Sequence, residues 1–358
     1  MKVTLPHRAE DSVRAPGNSP PQAAFEGLET LWIQITGTLC NLRCSHCFIS
    51  CSPDNHTLEF MSRAQIQQYL REAEEIGVKE LYFTGGEPFL HAEIFDILAD
   101  ALAVAPTTVL TNGVLITDRF ARSLGKLAAA SPYSLEVRVS LDAADEGAND
   151  AIRGAGVFRK AVRGLLRLQD AGLLPIVTAT ELVVEERGRP LPSGSGAETS
   201  APQRCAGEVA GGGQERLRAV DGASSAGRQV PVGVDADKVP AMPRAGRFYR
   251  QFHDMLAAAG VRRPRIKILP VFNMGMLDGR GEQVLLSERM LDGFDTATLQ
   301  CSASRLVAAD GVYACPILAG EPAARISTAG LRDALRPCSL YHPSCTTCYL
   351  TGMTCRNS

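Results

Sequence analysis

Cys40, Cys44 and Cys47 fall within eight residues, in the stretch Thr38-Leu39-Cys40-Asn41-Leu42-Arg43-Cys44-Ser45-His46-Cys47-Phe48. An apolar run, Leu31-Trp32-Ile33-Gln34-Ile35, comes directly before it and reads as a buried strand. A loop so spaced can wrap its thiolates around one face of a compact inorganic cluster, supplying three ligands where an iron–sulfur cube has four irons. The open iron is then available to something that reacts. A structural zinc site prefers four thiolate or imidazole ligands, usually in two separated CxxC pairs; Cys51 or His46 would have to complete it, and the spacing fits poorly. As mere packing, three thiols so close in a loop would be wasted.

With 358 residues the chain has room for one large α/β domain and a smaller one. A net charge of −2 and no local basic patch point away from nucleic acid. No apolar stretch is long enough to span a bilayer, and residues 1–24 lack the apolar centre of an export signal. Eleven cysteines in such a chain argue for metal or redox use in a reducing cytoplasm, and against disulfides. The prolines, serines and charges of residues 1–28 read as a disordered lead-in.

Beyond the cysteine loop, Ser62-Arg63-Ala64-Gln65 has the form of a capping box, and Ile66, Tyr69, Leu70, Ala73 and Ile76 follow at helical spacing up to Gly77. Strands are expected at 78–83, 107–110, 135–141, 174–184 and 265–271. Helices are expected at 91–104, 117–130, 157–171 and 247–259. Six βα units imply an α/β chain whose parallel sheet forms a partial (βα)6 TIM-like barrel over residues 29–275. Residues 186–245 break the pattern. They are rich in Gly, Ser, Pro and Ala, cannot bury enough apolar surface to offset ordering, and read as a disordered insertion in which Cys205 is incidental.

Ligands in parallel βα folds gather at the C-terminal strand ends. There the second strand runs into Gly85-Gly86-Glu87, two glycines that let backbone come close and a carboxylate suited to an ammonium group. The third ends in a turn with Asn112. On the fourth, Ser140 and Asp142 share a face that could hydrogen-bond ribose hydroxyls, and Arg153 could pair with a carboxylate; a helix cap and a solvated charge are the plain alternatives for Asp142 and Arg153.

Together the CxxxCxxC loop, the aromatic after it and the Gly85-Gly86-Glu87 segment resemble the radical S-adenosylmethionine (radical SAM) superfamily. That resemblance implies a [4Fe–4S] cluster on Cys40, Cys44 and Cys47. It implies S-adenosylmethionine (SAM) held by its amino group at Gly85-Gly86-Glu87, and by its carboxylate at Ile152-Arg153-Gly154. It also implies reductive cleavage of SAM to a 5′-deoxyadenosyl radical that takes hydrogen from a substrate. An electron donor of flavodoxin or ferredoxin type would be a partner.

Six further cysteines lie in the tail: Cys301, Cys315, Cys338, Cys345, Cys348 and Cys355. Asp310-Gly311 sits between two short β-like runs, 305–308 and 312–314, as in a hairpin. The arrangement resembles the SPASM or twitch domains appended to many radical SAM enzymes, here residues 276–358. One auxiliary [4Fe–4S] cluster, or two, is implied. A single one would draw on Cys301, Cys315, Cys345, Cys348 and Cys355, with Cys338 spare; structural zinc is the alternative. The resemblance leaves the substrate open between a small molecule and a ribosomally made peptide or protein side chain. Only about 28 residues precede the first strand, too few for a leader-recognition domain, which tilts the expectation to a small molecule. No residue stands out as a general base. A non-catalytic iron–sulfur carrier or redox sensor is the contrasting class.

Overall fold

The computed structural model describes residues 19–180, 245–278 and 283–352. Residues 186–244 of the expected insertion, Cys205 within them, and the tail's Cys355 lie outside the described residues, as do residues 1–18.

In chain order the strands and helices are β1 (Gln22–Ala23), β2 (Thr30–Gln34), α1 (Arg63–Ile76), β3 (Glu80–Thr84), α2 (Ile94–Leu102), β4 (Thr107–Thr111), α3 (Asp118–Ala130), β5 (Leu135–Ser140), α4 (Glu146–Arg153), α5 (Val157–Asp170), β6 (Ile176–Thr180), α6 (Ala245–Ala258), β7 (Ile266–Leu269), β8 (Ser304–Ala308), β9 (Gly311–Tyr313), β10 (Arg325–Ser327), β11 (Cys338–Ser339) and α7 (Pro343–Thr351). The main sheet has the order β10-β9-β8-β2-β3-β4-β5-β6-β7, and β1 pairs with β11 in a small ribbon. From β8 through β7 the pairing is parallel, so the six expected strands form one open sheet with crossover helices. The expected hairpin exists as β8–β9. Its first strand does not stand apart from the barrel: β8 adds to the sheet beside β2, Leu31 opposite Arg305 and Trp32 opposite Leu306.

Local chemistry sets the elements. At α1, Ser62 Oγ accepts from Gln65 N at 3.3 Å while Gln65 Oε1 accepts from Ser62 N at 2.8 Å, and Gly77 ends the helix at φ 83°. Side chains alternate along each strand. Leu31, Ile33, Leu81, Phe83, Val109, Val137, Val139, Val177 and Ala179 therefore face the helices and join Ile66, Leu70, Ile97 and Leu98 in the main core. The opposite parity (Trp32 and Gln34, Tyr82 and Thr84, Arg138 and Ser140, Thr178 and Thr180) faces the inside of the half-barrel. Among the described residues no helix is long and apolar enough to cross a membrane.

Candidate functional site

The cysteine loop leaves β2 and is stitched to its own return. Cys40 N donates to Ser52 O at 3.1 Å, Ser52 N to Thr38 O at 3.2 Å, and Thr38 Oγ1 accepts from Leu58 N at 3.1 Å. Two outside segments hold its far end. Ser45 N donates to Ile152 O at 2.9 Å, and Met276 N to Cys47 O at 3.0 Å. The glycine pair after β3 packs on this loop. A Cβ on Gly86 would lie 2.0 Å from Leu39 O, and one on Gly85, at φ 148°, 2.3 Å from Thr36 Oγ1. At Gly86 the close approach that demands glycine is thus between two pieces of protein backbone, and at Gly85 it is to a side-chain hydroxyl.

Cys40, Cys44, Cys47, Gly85, Gly86, Asn112, Ser140 and Arg153 all line one cavity of about 190 Å³. The inward residues Trp32, Gln34, Arg138, Thr178 and Thr180 line it as well, and Pro316 and Ile317 close one side. Four polar atoms of its lining are buried without a hydrogen-bond partner among the described residues: Trp32 Nε1, Gln34 Oε1, His46 Nδ1 and Thr178 Oγ1. Buried polar atoms are rarely left so, and these suit a polar ligand.

Two expected contributors do not reach the cavity. Glu87 is fully buried, and its carboxylate accepts from Thr111 Oγ1 at 2.7 Å, Asn112 N at 2.8 Å and Phe89 N at 3.1 Å. These contacts tie the end of β3 to the end of β4. Burial pushes this carboxyl up to about 7 in spite of those three donors. Asp142 is equally enclosed: it takes Arg153 Nε at 2.5 Å, His46 Nε2 at 3.0 Å and Thr180 N at 3.0 Å. Burial alone would raise its pKa, but Arg153 and His46 hold it well below the usual carboxylate range. Arg153 is neither a cap nor a solvated charge. It is 9% exposed, braced by Asp142, with Nη1 4.0 Å from Cys44 Sγ at the cavity wall. Asn112 Nδ2 reaches Asn41 Oδ1 at 2.7 Å and Cys40 Sγ at 3.8 Å, so the β4 turn is fastened to the cysteine loop.

Within the loop the thiols interact in every pair. Burial raises Cys40 to about 12 and Cys44 to about 11. Cys47 falls to about 6, chiefly because Cys51 donates its S–H to it, and Cys51 N donates to Cys47 Sγ at 3.2 Å. The tail repeats this grouping. Cys301, Cys315, Cys338 and Cys345 are mutual electrostatic neighbours in all pairs, and Cys301 donates its S–H to Cys338, which drops to about 7. Burial raises Cys345 to about 11. Cys338, expected to be spare, is thus inside the group. Cys348, one turn further along α7, borders the same apolar clusters as Cys301, Cys315 and Cys345. Among the described residues no three His, Cys, Asp or Glu side chains converge as a single metal ion would require.

His46, Trp32, Gln34 and Thr178 were not foreseen as lining residues. The signal was present in the strand alternation, which assigns Trp32, Gln34 and Thr178 to the inner face once the helices claim the outer one.

Residues 35–185 match the family described as the Radical SAM superfamily. The mycofactocin maturase MftC of Mycolicibacterium smegmatis is 38% identical over 134 residues, 37% of this chain and 32% of that protein. A probable GTP 3′,8-cyclase of Archaeoglobus fulgidus is 31% identical over 137 residues, 38% of this chain and 44% of that one. The matched segments therefore span between about a third and under half of these relatives' length. Streptococcus suis SuiB, in its crystal structure bound to the precursor peptide SuiA, shares the fold at a TM-score of 0.53 with 14% identity, over 86% of this chain and 64% of that one. The segment that matches the Radical SAM superfamily, residues 35–185, holds the cysteine loop and strands β3 to β6 of the half-barrel.

Proposed function

We propose that this protein is a radical SAM enzyme with a second, auxiliary iron–sulfur site. Cys40, Cys44 and Cys47 would hold a [4Fe–4S] cluster with one iron open to SAM, and Cys301, Cys315, Cys338 and Cys345 a fully ligated one. The observation that carries this reading is that the three loop thiols, the Gly85–Gly86 backbone and four unpartnered buried polar atoms share one cavity. When bound, the first cluster supplies the electron that splits SAM into methionine and a 5′-deoxyadenosyl radical, and the second offers a place for the electron that a net oxidation releases.

The chain's own residues then bind, orient and exclude. Arg153, fixed by Asp142, presents its guanidinium to the cavity beside Cys44 and suits the methionine carboxylate. Gly85 and Gly86 bring backbone to the same wall. Glu87 works at one remove by holding Asn112 against the loop. Trp32, Gln34 and Thr178 offer an N–H, a carbonyl and a hydroxyl to SAM or substrate, while Val271, Phe272, Leu277 and Ile317 keep water from a reactive intermediate. The substrate is a group small enough for this cavity, on a small molecule or on a peptide side chain. A flavodoxin- or ferredoxin-type donor would deliver the electron. A non-catalytic carrier would have no use for a cavity of unpartnered polar groups beside its thiols.

Anaerobic reconstitution followed by dithionite and SAM tests the reading. It expects iron and sulfide for two clusters and formation of 5′-deoxyadenosine, which the Cys40→Ala/Cys44→Ala/Cys47→Ala variant loses while keeping tail iron. Iron without 5′-deoxyadenosine would mark a carrier or sensor. Zinc without iron would overturn the proposal.

A further inference from the structure

Arg305 lies on β8 at 0% exposure, the largest side chain among those fully buried. Its guanidinium is satisfied by four backbone carbonyls: Nη1 donates to Cys301 O at 2.7 Å and Ser304 O at 2.6 Å, Nε to Ala334 O at 2.8 Å, and Nη2 to Arg336 O at 2.5 Å. Its carbon sits 4.3 Å from the Phe25 ring centroid. Among the described residues no carboxylate pairs with it. The other ionisable groups that act on it are Cys338, Cys301 and Cys315, with Arg336 adding charge of the same sign.

A buried cation surrounded only by dipoles and another cation is destabilising unless an anion is near. The same contacts say where that anion belongs. Arg305 grips the carbonyl of Cys301 itself and a carbonyl two residues before Cys338, and those two cysteines are hydrogen-bonded to each other. A thiolate-ligated iron–sulfur cluster is net negative, becomes more so on reduction, and has its potential set in part by nearby charge.

We propose that Arg305 is the fixed counter-cation of the four-cysteine site, a positioning residue that raises the reduction potential of the cluster held there. The proposal rests on the reading that these cysteines hold an iron–sulfur cluster, and the test separates the two.

In the Cys40→Ala/Cys44→Ala/Cys47→Ala background, only the tail site can be loaded. Iron and sulfide per chain, and the midpoint potential from a titration followed by electron paramagnetic resonance, are measured with Arg305, Arg305→Lys and Arg305→Gln. Arg305→Gln is expected to lower the reduction equilibrium constant at least tenfold, about 59 mV for one electron. Arg305→Lys, which keeps the charge, should shift it by less than that. Loading of Arg305→Lys but not Arg305→Gln would also support the charge requirement. Arg305→Gln with parental iron and an unmoved potential overturns the proposal. So does a Lys variant shifted as far as Gln, or failure of both variants to load, since guanidinium geometry and not charge would then be what matters. No iron in the background protein itself would remove the cluster assignment, a different failure.

Discussion

The two thiol groups are built alike and reached differently. In each, four cysteines are mutual neighbours and one S–H donates to a partner whose pKa falls: Cys51 to Cys47, Cys301 to Cys338. The first group comes from one continuous loop, residues 40–51, that closes on itself between Thr38 and Ser52. The second gathers a 3₁₀ turn (Gln300–Ser302), the second residue after β9, the ribbon strand β11 and the start of α7. Their surroundings differ too. The loop group faces a cavity with unpartnered polar atoms and the Arg153–Asp142–His46 chain, whereas the tail group is backed by a guanidinium held on carbonyls and by apolar packing. A site that a loop can close by itself is written in spacing. A site that four segments close is written in the fold.

The largest effect that could break this comparison is on iron in the tail. Cys338→Ser is expected to remove about four irons per chain. Iron and sulfide analysis checks this, and the reverse result would return Cys338 to a spare role. Next comes the fastening of the loop to β3. Gly86→Ala should cost about 3 kcal/mol or more of stability in denaturant unfolding, because its methyl would press on Leu39 O. A neutral substitution would mean the two backbones are not in contact.

The smallest effect concerns Glu87. Its folded pKa, about 7, lies above the ordinary carboxylate value, so the folded state binds the extra proton. The stability it contributes is fully present below pH about 4.5 and is lost as pH rises through 7. The stability of the parent relative to Glu87→Gln should accordingly fall by about 2–3 kcal/mol between those pH values. A flat difference in unfolding free energy across this window would show that the carboxyl stays ionised throughout.

How much of this could be read beforehand follows from which contacts are local. Strands β2 to β7 announce themselves by apolar runs set between amphipathic helices, and the loop thiols by their spacing. Helix α4 passed unnoticed because its buried face is Asn149, Ile152 and Arg153, which leaves no apolar period to detect. That Glu87 ties β3 to β4 is not legible in the sequence, because the N–H groups of Phe89 and Asn112 reach it only in the fold. Cys338 lies in no short cysteine spacing, and its strand β11 pairs with β1, Ala23 opposite Cys338, a contact across most of the chain. Arg305 looked like one residue of a hairpin, and its four carbonyl partners lie up to 31 residues away.

The parallel pairing of β8 with β2 makes the tail something other than a removable appendage. A chain cut after residue 275 would strip β2 of one neighbour and lay bare the unpaired N–H and C=O groups of a strand whose residues are all buried. Such an edge invites pairing with another copy, so the shortened protein should form insoluble aggregates instead of a smaller functional barrel.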